Sequence, residues 1–82
     1  MAFIITDKGK EIAEQIGKIS DRGSTLLKGE GSYSGTEKEI VMCACNTKQM
    51  YVIKRLAKQI DSKSFTVVME ANEVVGEGFK QE

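Results

Sequence analysis

The stretch Glu37-Lys38-Glu39-Ile40-Val41-Met42-Cys43-Ala44-Cys45-Asn46-Thr47-Lys48-Gln49-Met50 carries the change of period that decides the fold. Glu37–Cys45 reads as a strand. From Ile40 onward it is apolar on both sides, with Ile40, Met42 and Ala44 on one and Val41, Cys43 and Cys45 on the other. Asn46 or Thr47 then caps a helix, and Gln49 stands three residues after Asn46 as a capping box requires. Beyond it Met50, Ile53, Leu56, Ala57 and Ile60 recur at helical spacing and mark one apolar face.

Working outward, Asp61-Ser62-Lys63-Ser64 forms a turn. Phe65–Ala71 is a further strand, with Phe65, Val67, Met69 and Ala71 opposite Thr66, Val68 and Glu70. Residues 72–75 suit one helical turn, and Gly76-Glu77-Gly78-Phe79 is a glycine-rich end. On the N-terminal side, Ala2–Thr6 is a β-rich first strand and Thr6 or Asp7 can cap a helix over 8–19. That helix carries Ile12, Ile16 and Ile19 on one stripe. Ser24–Glu30 is a second strand, joined to Glu37–Cys45 through the glycine-rich Gly29–Gly35.

The order is therefore βαββαβ. Two right-handed crossovers predict an α+β ferredoxin-like sandwich, with an antiparallel sheet of order 4-1-3-2 and two helices on one face. The domain spans 1–82. The two central strands of that order should then be apolar on their helix-free side as well. A wet face would instead alternate apolar with polar residues. Phe3 and Ile5, together with Ile40, Met42 and Ala44, do not alternate. The expectation is that a second copy of the sheet covers this face.

Composition narrows the function. The chain has 82 residues, 12 basic and 12 acidic, with no histidine and no proline. Zero net charge gives no global field to attract nucleic acid. The module of this topology that binds RNA needs aromatics on strands one and three; strand three has none. No apolar run approaches the ~20 residues that span a bilayer. Without histidine, general base chemistry near neutral pH lacks its usual group. Cys43 and Cys45 lie mid-strand, where a thiolate is not favoured, and read as buried thiols rather than a metal site or a nucleophile. No enzyme, metal centre or cofactor is expected.

The segment Gly29-Glu30-Gly31-Ser32-Tyr33-Ser34-Gly35 has two readings. Glycines let backbone amides approach a ligand, and Tyr33 offers a ring for stacking. Equally, the segment builds a hairpin that needs positive φ angles, which is the commoner use of this composition. Arg22-Gly23-Ser24-Thr25 could present a guanidinium and hydroxyls to a phosphate or carboxylate, or be a solvated turn.

Asp21-Arg22-Gly23-Ser24-Thr25, followed by Gly29-Glu30-Gly31-Ser32-Tyr33-Ser34-Gly35, then Ile60-Asp61 and Val75-Gly76-Glu77-Gly78-Phe79-Lys80, resembles the C-terminal soluble domain of YitT-type bacterial membrane proteins. The resemblance covers nearly the whole chain. It implies several transmembrane helices in the full protein and a place for this domain on the cytoplasmic face of the cell membrane. It also implies a fold similar to PII signalling proteins, which are trimers that bind nucleotides or other small effectors between subunits. By that analogy the chain is a regulatory or sensor domain. It would form a homo-oligomer, a trimer or a dimer, and bind a small anionic effector such as a nucleotide. The expected ligand corner is Arg22, Ser24, Thr25, Gly29, Gly31, Tyr33, Gly35, Glu77 and Gly78. Arg22 would neutralise ligand charge and Tyr33 would stack. The alternative is a purely structural oligomerisation module without a ligand.

Overall fold

A computed structural model describes residues 1–20 and 23–70. In chain order its elements are β1 (Ala2–Thr6), α1 (Gly9–Ser20), β2 (Thr25–Glu30), β3 (Glu37–Cys43), α2 (Thr47–Ile60) and β4 (Phe65–Val68). All pairings are antiparallel, and the sheet order is β2-β3-β1-β4. Read from the other edge this is the expected 4-1-3-2, and the fold is α+β and ferredoxin-like.

The core lies between the sheet and both helices. Ile4, Val41 and Cys43 from the sheet meet Ile12 and Ile16 of α1 and Ile53 and Ala57 of α2, all fully buried or nearly so. Alternation along β1 places Ala2, Ile4 and Thr6 on this side, which leaves Phe3 and Ile5 on the other. Ile19 continues the stripe of α1 into its last turn but remains about half exposed.

Two strands are shorter than their composition suggests. The apolar alternation of β3 runs to Cys45, yet the strand ends at Cys43. The partners give out there: Ala2, the first residue of β1, lies opposite Cys43, and Thr25, the first of β2, lies opposite Met42. Likewise β4 ends at Val68, opposite Ala2, with one more bond from Met69 N–H to the Met1 carbonyl. A strand continues only while a neighbour can take its backbone groups. Ala71 and the suggested turn at 72–75 lie outside the described residues.

The capping box forms as its spacing requires. The Asn46 side chain accepts from Gln49 N–H at 2.8 Å, and the Gln49 side chain accepts from Asn46 N–H at 3.0 Å. The start of α1 is held differently. Its Gly9 N–H donates to Glu39 Oε1 on β3 at 3.0 Å, so a sheet carboxylate supplies the helix with its first acceptor and sits at the positive end of its dipole. A Cβ on Gly9 would stand 2.9 Å from Glu39 Cβ and 3.0 Å from Leu26 Cδ2. Glycine is what lets α1 begin this close to the sheet.

Candidate functional site

The residues of the expected ligand corner fall into two groups. Ser24 and Thr25 stand at the start of β2, half-buried and exposed respectively. Gly29 lies near the far end of that strand, and Gly31, Tyr33 and Gly35 belong to the hairpin turn beyond it. An extended strand rises about 3.3 Å per residue, so Thr25 and Gly29 are about 13 Å apart. Within one protomer the two groups do not meet. Arg22, Glu77 and Gly78 lie outside the described residues.

Local stereochemistry accounts for Gly35. Gly35 has φ of 70°, a conformation that costs any residue with a Cβ. Its N–H donates to the Gly31 carbonyl at 2.7 Å, while Gly31 N–H donates to the Thr36 carbonyl at 2.9 Å. A Cβ on Gly31 would come within 2.7 Å of Ser34 Oγ, and one on Gly29 within 3.1 Å of Ile40 Cδ1. Ser34 and Thr36 hydroxyls are hydrogen-bonded at 2.8 Å across the turn. Tyr33 projects from the tip fully exposed, so its ring is not packed on a neighbour.

Beside this end of the hairpin lies an open cleft lined by Asp7, Lys28, Gly29, Glu30, Glu37, Lys38 and Glu39. Four carboxylates face two ammonium groups. Lys38 Nζ is paired with Asp7 at 3.1 Å, an exposed ion pair of small energetic weight. Glu39 is engaged at the start of α1. The electrostatics of the cleft, taken alone, disfavour an anion. Among the described residues no group of three or more Cys, Asp or Glu is arranged to hold a metal ion.

The polar centre that the sequence did not single out as a site is Asp61. Its Oδ2 accepts from Thr6 Oγ1 at 2.6 Å and from Asp7 N–H at 3.2 Å, and its Oδ1 accepts from Lys63 N–H at 3.1 Å. Thr6 Oγ1 in turn accepts from Lys8 N–H at 2.9 Å. This clasp joins the β1–α1 junction to the end of α2. The Thr6 hydroxyl is the main cause that holds the Asp61 carboxyl below its ordinary range. The Asp7 and Lys63 amides and the Lys8 charge act in the same direction, and partial burial opposes them. Asp61 opens a turn in the sequence, but its partner Thr6 is far away in the chain.

Cys43 and Cys45 are both thiols, buried and half-buried. Cys43 Sγ lies 3.9 Å from the Gly23 carbonyl, and Cys45 Sγ lies 4.0 Å from Met50 Sδ. Cys43 belongs to the apolar core and Cys45 packs against it.

The helix-free side of the sheet, among the described residues, carries a broad apolar surface. The strand registers align Phe65, Ile5, Ile40 and Leu27 in one row across all four strands, and Val67, Phe3, Met42 and Thr25 in the next. Phe65 is 57% exposed, Val67 42% and Leu27 39%. The central residues Phe3, Ile5, Ile40 and Met42 are half-buried.

Residues 22–76 match the family model DUF2179, described as an uncharacterized protein conserved in bacteria. The chain is similar to the UPF0750 membrane protein YxkD of Bacillus subtilis (strain 168), at 38% identity over 93% of this chain and 27% of that protein. It is similar to YvjA of the same organism, at 37% identity over 99% of this chain and 29% of that protein. YitT, also a UPF0750 membrane protein of that organism, is 28% identical over 92% of this chain and 27% of its own length. The chain thus spans under a third of the length of these three membrane proteins. Among the described residues no helix is long and apolar enough to cross a membrane. The crystal structure of an uncharacterized DUF2179 protein from Eubacterium ventriosum superposes with a TM-score of 0.69 at 29% identity, covering 83% of this chain and 93% of that one. With this sequence match and this shared fold, the chain belongs to the DUF2179 family, a domain it holds in common with bacterial membrane proteins of the YitT type.

Proposed function

We propose that this chain is a non-catalytic, self-associating domain of a multi-pass membrane protein, placed on the cytoplasmic side, where it acts as a regulatory or sensor unit. The observation that carries the self-association is the two apolar rows on the helix-free face. An antiparallel sheet with a solvated face alternates apolar and polar residues, and this face does not. A second copy laid sheet to sheet removes the rows from water on both chains at once.

Size sets the strength. Four strands spaced ~4.8 Å apart and about five residues long project roughly 300 Å². Even with side-chain relief this falls short of the ~800 Å² per partner of a standard stable interface. The association is therefore weak for the isolated chain, and the remainder of a membrane protein, by holding copies together, would strengthen it.

The regulatory part of the proposal places a small anionic effector, such as a nucleotide, between subunits. Its support is the family's resemblance to PII proteins and the two separated groups of candidate residues, which only a second chain could bring together. The second reading is an assembly module without a ligand. The acidic balance of the cleft and the stereochemical need for Gly35 favour it. Sedimentation across a concentration series, combined with thermal shifts against ATP, ADP and cyclic dinucleotides, separates the two. Association with a raised melting temperature supports the regulatory reading. Association without any shift supports the assembly module. A chain that stays monomeric at hundreds of micromolar refutes both.

A further inference from the structure

We propose that the outer face of α2 is a docking surface for an anionic lipid bilayer. This helix carries Lys48, Lys54, Arg55 and Lys58 and no acidic residue. With 12 acids and 12 bases in the chain, the other elements carry 12 acids against 8 bases, so α2 holds a local excess of positive charge in a neutral molecule. At 3.6 residues per turn the four cations fall within an arc of about 120° centred on Tyr51. That arc lies opposite Ile53 and Ala57, which bury the helix against the core. Tyr51 and Val52 on the outer surface are 69% and 50% exposed, and Lys54 Nζ sits 5.3 Å from the Tyr51 ring centroid. Lys58 Nζ is directed to the Ser62 and Ser64 carbonyls, which fixes its charge at the end of the stripe.

The occupant follows from charge and shape. A helix lying on a sheet presents its cations in one plane, so a flat anionic target meets the whole stripe together. A tyrosine at the centre suits the headgroup level, where an amphipathic ring rests with its hydroxyl in water. Helix diameter puts this stripe about 10 Å from the sheet, beyond the ~8 Å Debye length at physiological salt. The acids of the sheet are thereby screened from the contact. The curated relatives are membrane proteins, so a bilayer lies within tether reach of the domain. By contrast, α1 carries Lys10 and Lys18 with Glu11 and Glu14 and offers no single sign. The surface is on the opposite side from the apolar sheet rows, and the proposal stands independently of self-association.

The test uses the 82-residue chain and sedimentation with large unilamellar vesicles, either pure phosphatidylcholine or phosphatidylcholine with about one-third phosphatidylserine. The chain should partition onto the anionic vesicles, not the neutral ones, and dissociate at high salt. A basic side chain near such a surface contributes about fivefold. The triple variant Lys48→Gln, Lys54→Gln, Arg55→Gln should therefore bind about 100-fold more weakly while melting as the parent does. The pair Lys10→Gln, Lys18→Gln on α1 should bind as the parent does. The proposal is overturned if the parent ignores anionic vesicles at low salt or if the triple variant binds undiminished. It is overturned equally if the α1 pair weakens binding as much, or if single-stranded RNA is bound in preference to the vesicles.

Discussion

Ile4 and Val67 sit on opposite faces of neighbouring strands and give a clean division between what holds the fold and what holds the assembly. Ile4 is fully buried under both helices. Replacing it by Ala removes packed carbon atoms and leaves a cavity, at a cost of about 2–5 kcal/mol. A chain of 82 residues, at ~0.05–0.15 kcal/mol per residue, has about 4–12 kcal/mol in all. The substitution therefore takes a large share, and at roughly 4–8 °C per kcal/mol it lowers the melting temperature by at least about 8 °C. Val67→Lys acts on a side chain that is 42% exposed in the lone protomer, where it should change stability by no more than about 0.5 kcal/mol. In a sheet-to-sheet pair the same lysine appears twice and must be desolvated without a partner. Together these cost at least ~4 kcal/mol, about a thousandfold in the dissociation constant. Sedimentation velocity and thermal melts over a shared concentration series read both effects. Ile4→Ala should melt early and still associate. Val67→Lys should melt as the parent does at low concentration and lose all concentration dependence. If Val67→Lys associates as well as the parent, the sheet rows are not the interface.

Other consequences follow from local geometry. Asn46→Ala removes the acceptor for Gln49 N–H and should cost about 1 kcal/mol, read as a lower urea midpoint with an unchanged slope. Gly35→Ala forces a Cβ into a φ of 70° and should cost about 1 kcal/mol or more, with Gly35→Asn milder because asparagine tolerates this region. The Asp61 carboxyl has a folded pKa below its ordinary value of 3.8, so the unfolded chain binds that proton more readily. Its contribution to stability is present above about pH 4 and is lost as pH falls through the folded value. Acid titrations of stability should show this loss in the parent and a shallower acid limb in Asp61→Asn.

What could be read in advance depended on how local the cause was. The capping box at Asn46 and Gln49 involves near neighbours, and the apolar faces of α2 and β1 follow from period alone, so these were legible. The ends of β3 and β4 were not, because Cys45 continues the alternation while pairing stops with Ala2 and Thr25 on the adjacent strands. The same distinction governs the site. Glycine composition marked the hairpin, but only the turn's backbone geometry distinguishes Gly35 as a stereochemical requirement. The clasp between Asp61 and Thr6 spans 55 residues and leaves no local sign of the pairing.

The position of β1 also bears on how the chain is made. It precedes the other five elements in the chain and ends in the middle of the sheet, hydrogen-bonded to β3 on one side and β4 on the other. A growing chain must therefore keep the apolar strand Ala2–Thr6 unpaired until residues 37–43 have left the ribosome, and it cannot close the far edge until Phe65–Val68 follow. The β2–β3 hairpin, whose strands are neighbours in sequence, is free to form in the meantime and to serve as the template on which β1 is then laid.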